Sequence, residues 1–286
     1  MRILVTGVKG QLGYDCVREL TRRGFTDVRG IDIDDLDITD EKTVHRYIGE
    51  YHPDVVIHCA AWTAVDKAEE CAEAVYHVNA LGPKYLAEAS ADIGAAIVYI
   101  STDYVFPGTG ERPYEVDDPK GPLGVYGSTK LEGEHFVEKA NPKHFIIRIS
   151  WVFGKNGNNF VKTMLRLGKQ LESISVVNDQ IGSPTYTVDL SRLIVDMIQT
   201  DRYGVYHATN EGFCSWAAFA QNIFEYAGYK VTVTPISTDE YKKAHPNQAS
   251  RPLNSRLSKK KLTECGFDLL PSWQDALKRY LKELDE

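Results

Sequence analysis

Along its first half the chain alternates between two hydrophobic periods. Ile3-Leu4-Val5 is a short continuous apolar run that stops before Gly7, the pattern of a parallel strand covered on both faces. From Gln11 to Arg23 the apolar residues fall at Leu12, Cys16, Val17 and Leu20, which is helical spacing, and Gly24 closes the segment. Val28 to Ile31 reads as a second strand, and Thr39-Asp40-Glu41 opens a helix with a capping residue and an acidic first turn. Val55-Val56-Ile57 is a third strand, a long helix covers Ala72 to Ile93, and Ala95 to Ile100 is a fourth strand. Pro119 to Pro122 marks a loop, Tyr126 to Lys139 is helical, and Phe145 to Ile149 is another strand. Strands and helices alternating at these lengths predict βαβ units with right-handed crossovers: an α/β fold with a doubly wound parallel sheet over residues 1–150.

Beyond residue 150 the rhythm changes. Glycine and asparagine cluster from Gly154 to Asn159, before a helix over Phe160 to Leu171 and a strand at Ile174 to Val177. Helices are predicted at Asp189 to Gln199, Ser215 to Ala227 and Trp273 to Leu284, a strand at Val231 to Thr234, and a loop through Pro246 to Pro252. Residues 151–286 are therefore expected to form a smaller α/β substrate-binding lobe, with 187–208, and the strand Gly204 to Ala208 in particular, returning to the main sheet.

Composition narrows the class. The 286 residues are 43% hydrophobic and 26% charged, a globular balance. A formal net charge of -7 argues against a nucleic-acid partner, which needs a basic face to displace counterions. Five scattered cysteines without a C-x-x-C pair read as free thiols of a reducing compartment. Met1 to Thr6 runs straight into Gly7 without the apolar region of a signal peptide, and no apolar run approaches the roughly 18 residues of a membrane span. The expectation is a cytoplasmic protein with no membrane partner.

The chemistry begins at the first turn. Gly7, Gly10 and Gly13 form a G-x-x-G-x-x-G turn with Gln11 and Leu12 between a strand and a helix. There glycine allows a tight turn and close backbone approach to a pyrophosphate, and the helix N-terminus supplies free N–H groups. The sheet is thus Rossmann-like. Asp32 ends the second strand at about the ~20-residue offset where a carboxylate meets the adenosine ribose, which leans towards NADH. Lys9 and Arg29 are placed to neutralise a 2′-phosphate instead, so NADPH or NADH stays open. Asp37 and Ile38 are expected to flank the adenine.

Tyr126 and Lys130 stand one helical turn apart on one face. Hydride transfer to a ketone builds charge on oxygen, which asks for a proton donor, and an adjacent ammonium is expected to lower the phenol's pKa. Tyr226 and Lys230 share the spacing, but Gly228 breaks the helix between them. Thr102 lies at the carboxyl end of the fourth strand, where ligands bind in open parallel sheets, and its hydroxyl is expected to share the substrate oxygen with Tyr126.

With these residues in place the chain resembles the dTDP-4-dehydrorhamnose reductase family of the extended short-chain dehydrogenase/reductases, nearly end to end. The resemblance rests on the glycine turn, Ala60-Ala61-Trp62-Thr63-Ala64-Val65-Asp66-Lys67-Ala68-Glu69, Ser101-Thr102-Asp103-Tyr104-Val105-Phe106 and the Tyr126/Lys130 pair. It continues through Arg148-Ile149-Ser150-Trp151-Val152-Phe153-Gly154, Asn158-Asn159-Phe160, Asp179 to Thr185, and Arg251-Pro252. It implies reduction of the C4 ketone of dTDP-4-dehydro-β-L-rhamnose to dTDP-β-L-rhamnose. Tyr126 would give the proton, Lys130 would tune it and hold the nicotinamide ribose, and Thr102 would polarise the ketone.

By the same resemblance Ala60, Ala61, Trp62, Thr63 and Asn79 serve the cofactor side, and Asp103, Trp151, Asn159 and Arg251 the nucleotide-sugar side, Arg251 by matching its guanidinium to a diphosphate. Some members of the family hold Mg2+ at a dimer contact, which raises a homodimer here. Asp15 and Asp189 are shorter than the glutamates at comparable places, and no metal ligand is assigned. Tyr104 in place of a glutamate after Thr102-Asp103 disfavours a dehydratase; an epimerase and a non-catalytic subunit of the same fold remain as alternatives.

Overall fold

In the computed structural model, which describes residues 1–285, the first half is a strand–helix alternation. It runs β1 (Arg2–Thr6), α1 (Gln11–Arg22), β2 (Asp27–Ile31), α2 (Glu41–Tyr51), β3 (Val55–His58), α3 (Val65–Ala68) and α4 (Ala72–Tyr76). It continues with α5 (Gly82–Asp92), β4 (Ala96–Thr102), α6 (Val125–Ala140) and β5 (His144–Ile149). With β10 (Gly204–His207) these strands form a six-stranded parallel sheet in the order β10-β5-β4-β3-β1-β2. The predicted return of Gly204 to the main sheet is observed. The order reverses between β1 and β3, which opens a crevice at their carboxyl ends.

The strands are apolar throughout because both faces are covered. Ile3, Val5, Val55, Ile57, Val98, Phe145 and Ile147 share one core with α1 and α8 (Thr187–Met197). Leu4, Val56, Ile97, Tyr99 and Ile146 share the other with α2, α5 and α6. Asp40 caps α2 by accepting from Thr43 N–H at 3.1 Å, as its position in the sequence predicts.

The second half builds its own core from α7 (Phe160–Gly168), α9 (Trp216–Tyr226) and the C-terminal helix Trp273–Asp285, around Phe153, Phe219, Phe224 and Tyr280. Its strands are short, and the longest pair is β7 (Ser173–Val177) with the parallel segment Thr232–Ile236.

Three elements differ from expectation. The helix expected to reach Leu171 ends at Gly168, after which a turn brings the N–H groups of Gln170 and Leu171 back to the Leu167 carbonyl. The long helix over 72–93 is interrupted by one π-helical turn, His77–Leu81, just before Pro83. Proline has no N–H to give four residues back, and the Asn79 carbonyl accepts the Tyr99 hydroxyl at 3.0 Å. A helix absent from the sequence reading, α10 (Thr238–Ala244), starts at a capping box between Ser237 and Glu240, an S-x-x-E signal the sequence does carry.

Candidate active site

A cleft of about 770 Å³ lies along the carboxyl ends of β1, β3, β4 and β5 and is closed on the far side by Trp151, Phe160 and Trp216. The glycine turn forms one end. Gly7 sits at φ +71°, a conformation side-chain-bearing residues rarely adopt, and a Cβ there would lie 2.6 Å from Ala60 N. A Cβ on Gly13 would lie 2.4 Å from the Gly7 carbonyl oxygen, so α1 can press against the turn only with glycine at that position. The N-cap of α1 is Gly10, which offers no capping side chain, and its first turn holds no acid. Its leading N–H groups are thus free for an anion. Gly7, Gly10, Gln11 and Leu12 all line the cleft. This end fits a dinucleotide pyrophosphate.

Beyond the turn, Asp32, Asp37 and Ile38 line the same cleft. Asp32 is oriented by two backbone donors, Lys9 N–H and Ile33 N–H, each at 2.9 Å. The Lys9 ammonium pairs with Asp34 at the rim. Arg29 does not join them: its guanidinium lies 4.0 Å over the Tyr51 ring, outside the lining. That corrects the expectation that Arg29 serves a 2′-phosphate, because an aromatic face holds it elsewhere.

Ala60, Ala61, Trp62 and Thr63 form the wall after β3. Asn79 supports that wall from behind. Its side-chain oxygen accepts from Trp62 N–H at 2.8 Å, and its amide donates to the Trp62 carbonyl at 3.0 Å. Asn79 itself is fully buried and does not line the cleft.

At the centre, Thr102, Asp103, Tyr126 and Lys130 converge, as the sequence predicts. The Thr102 hydroxyl donates to Asp103 at 3.1 Å and lines the cleft beside the Tyr126 phenol. The Tyr104 ring packs edge-on against Tyr126, with centroids 5.4 Å apart. Burial raises the Tyr126 phenol to about 12, against the pull of the Thr102 hydrogen bond. This corrects the expected direction: spacing puts Lys130 on the same helix face, but burial is the largest influence on the phenol. Lys130, also buried, is itself pushed down to about 7. Its ammonium lies 4.0 Å over the Tyr99 ring. Asp103 is pushed up to about 6 by burial, and one of its oxygens has no partner.

Trp151 closes the far side of the cleft. It adopts φ +50°, a strained backbone for a bulky residue, and stacks on Trp216 with centroids 3.7 Å apart. Trp216 carries no signal in the sequence, because it lies inside an ordinary helical run.

Two expected substrate residues stand elsewhere. Asn159 is the N-cap of α7: it accepts from Lys162 N–H at 3.0 Å and donates to Gln11, the Gly154 carbonyl and the Tyr280 hydroxyl, each at 2.9 Å. Its amide is spent, and its neighbours Asn158 and Phe160 line the cleft instead. Arg251 lies outside the lining and pairs with Asp66 at 3.0 Å. Asp15 and Asp189 do not fit a metal site. Thr187 and Arg18 fill Asp15, and Arg279 and Asn210 fill Asp189, so both buried carboxylates face protein donors.

A family model described as the RmlD substrate binding domain matches residues 1–286. The spore coat polysaccharide biosynthesis protein SpsK of Bacillus subtilis is 41% identical over 283 residues, covering 99% of this chain and 97% of its own. The dTDP-4-dehydrorhamnose reductase of Aggregatibacter actinomycetemcomitans is 42% identical over 290 residues, covering 97% of each chain. The crystal structure of dTDP-4-dehydrorhamnose reductase from Bacillus anthracis in complex with NADP is 46% identical, with a TM-score of 0.94 and 99% of each chain covered.

Proposed function

From a chain that belongs to the RmlD substrate binding domain family over its whole length, we infer a dTDP-4-dehydrorhamnose reductase, an NAD(P)H-dependent oxidoreductase of dTDP-rhamnose synthesis. The reaction reduces the C4 ketone of dTDP-4-dehydro-β-L-rhamnose to the alcohol of dTDP-β-L-rhamnose. The observation that carries the reading is the convergence of Thr102, Tyr126 and Lys130 in the one cleft that also holds the glycine turn.

A reduced nicotinamide coenzyme, held by the glycine turn and the wall after β3, would supply the hydride for C4. The residues of the chain do the rest. Tyr126 gives its phenolic proton to the C4 oxygen as negative charge builds there. Lys130 stabilises the phenolate that is left. Thr102 donates to the same oxygen and fixes the carbonyl plane. Gly7, Gly10, Gln11, Leu12 and Gly13 shape the pyrophosphate seat, Asp32, Asp37 and Ile38 the adenosine end, and Ala60 to Thr63, backed by Asn79, the wall beside the nicotinamide. Asp103 and Trp151 hold the sugar. Residues 1–150 serve the coenzyme, and 151–286 mainly the sugar nucleotide. The cytoplasm suits five free thiols, and no helix among the described residues is long and apolar enough to cross a membrane. A homodimer is the assembly this reading carries.

The test is an assay of the purified chain with dTDP-4-dehydro-β-L-rhamnose and each coenzyme. One coenzyme oxidised per dTDP-rhamnose formed is expected. Conversion of the sugar nucleotide to an isomer of the same oxidation state, without net coenzyme consumption, identifies an epimerase and overturns the assignment, as does coenzyme binding with no turnover of any dTDP-4-keto sugar.

A further inference from the structure

Beneath the cleft lies a layer of buried charge that the reaction above does not use. Along β3, β4, β5 and β10 the side chains facing α6 include His58, Tyr99, Ser101, Arg148 and His207, all buried at the carboxyl end of the sheet. Glu134 comes down onto this layer from α6. It stands one helical turn after Lys130 and two after Tyr126, so the three share a face. It is 3% exposed. Arg148 grips both of its oxygens, at 2.9 Å from Nε and 2.7 Å from Nη2. Ser101, the residue before Thr102, donates its hydroxyl to the same carboxylate.

An ion pair this deep is poorly explained as a source of stability, because desolvating two charges commonly offsets their attraction. Its location suggests another role. Lys130 makes no ion pair of its own among the described residues; its ammonium rests on the Tyr99 ring. Burial works against its charge, and Glu134 is the largest influence restoring it. The other groups around it do less. From β3 come the Cys59 thiol and His58, which burial keeps neutral and whose Nε2 has no partner. From β4 comes Tyr99, and from α6 itself Tyr126, both kept protonated by burial. Around Glu134 itself stand Arg148, the neutral His207 at 3.3 Å from Arg148, and Lys120 from the loop before α6.

We propose that Glu134, clamped by Arg148, is a positioning residue for the reductase reaction: one helical turn beyond Lys130 on the same face of α6, its carboxylate sets the electrostatic surroundings of that ammonium and, through Ser101, fixes the strand end that presents Thr102. The role rests on the reductase reading given above. Arg148 sets the angle of the carboxylate, and the carboxylate sets the charge state that the proton donor meets.

The experiment titrates the ε-carbon of Lys130 by NMR in coenzyme-free protein labelled with 13C-lysine, the signal being assigned by its loss in Lys130→Arg. Glu134→Gln removes the charge and keeps the shape. Glu134→Gln with Arg148→Met removes both charges, so that no unpaired guanidinium is left buried if the single variant fails to fold. The Lys130 midpoint is expected to fall by about one pH unit or more in either variant, the usual effect of losing a nearby opposite charge. The basic limb of kcat/KM should move down by a similar amount. A folded variant whose Lys130 midpoint stays at the wild-type value overturns the proposal and leaves Glu134 a structural residue. The titration needs no turnover, so a wild-type chain that reduces no sugar nucleotide refutes the functional reading separately.

Discussion

Replacing Tyr126 by phenylalanine removes one oxygen from the centre of the cleft and little else. The ring keeps its edge contact with Tyr104, and the hydroxyl's neighbour, Thr102, keeps its bond to Asp103 at 3.1 Å. The folding loss is at most that of a single hydrogen bond, about 1 kcal/mol, or roughly 2 °C in melting temperature for a chain of this size. The catalytic loss is far larger. With the phenol pushed up to about 12, the protonated form dominates at neutral pH, so the proton it gives is present in every enzyme molecule. A positioned acid contributes about 10²–10⁴ in rate, which corresponds to about 3–5 kcal/mol of barrier. The assay follows NADPH oxidation with dTDP-4-dehydrorhamnose, with coenzyme affinity measured by fluorescence and melting by calorimetry. A kcat lower by 10² or more, with coenzyme Kd within about threefold, is expected on this reasoning. A variant that keeps kcat within about tenfold of wild type, at unchanged Kd, shows that another group delivers the proton.

Gly13→Ala would set a Cβ 2.4 Å from the Gly7 oxygen and 2.8 Å from the Gly7 carbon, forcing the phosphate turn out of shape. Coenzyme Kd should rise at least about tenfold with the fold kept by circular dichroism, and unchanged affinity would refute the seat assigned to this turn. Lys9→Met should weaken NADPH by about tenfold and leave NADH within about twofold, because the Lys9 ammonium stands at the adenosine end, paired with Asp34 at the rim; equal losses for both coenzymes would remove Lys9 from phosphate recognition. Lys130→Met should be inactive yet melt higher than wild type at pH 7. Burial depresses the folded pKa of Lys130 to about 7, so the unfolded chain binds the extra proton between there and the ordinary lysine value. The wild-type penalty is therefore fully present below about pH 7 and fades as pH rises towards 10. Melting curves whose gap widens instead towards pH 10 would contradict this sign.

Much of this was legible because the strands are short, apolar and covered on both faces, which leaves few competing readings of Ile3-Leu4-Val5 or Val55-Val56-Ile57. Tyr126 and Lys130 were legible because both lie on one helix, where spacing alone decides which side chains share a face. The placements that the sequence did not foresee have a different origin. Asn158 and Asn159 are alike in sequence, and only the start of α7 decides which becomes a cap and which lines the cleft. Arg251 meets Asp66 across 185 residues, and Arg29 meets Tyr51 across a sheet edge, pairings no local pattern encodes. The π-helical turn that sets Asn79 behind Trp62 looks like continuous helix in its periodicity. Burial was the largest omission, since it reversed the direction expected for the Tyr126 phenol.

That reversal carries functional weight. An enzyme that first oxidises its sugar, as an epimerase or a dehydratase of this fold does, needs a phenolate ready to take the hydroxyl proton. Burial of the Tyr126 phenol favours its protonated form instead. A reductase asks the opposite, a donor that is always loaded. It also needs a neighbour whose charge appears where the phenolate forms, and Lys130, poised near 7 over the Tyr99 ring, holds a proton close to neutrality. Tyr104 stands where a dehydratase needs a second acid–base carboxylate, and burial keeps its phenol neutral. Burial of the cleft therefore favours the protonated phenol that a proton donor requires, which supports the reductase reading.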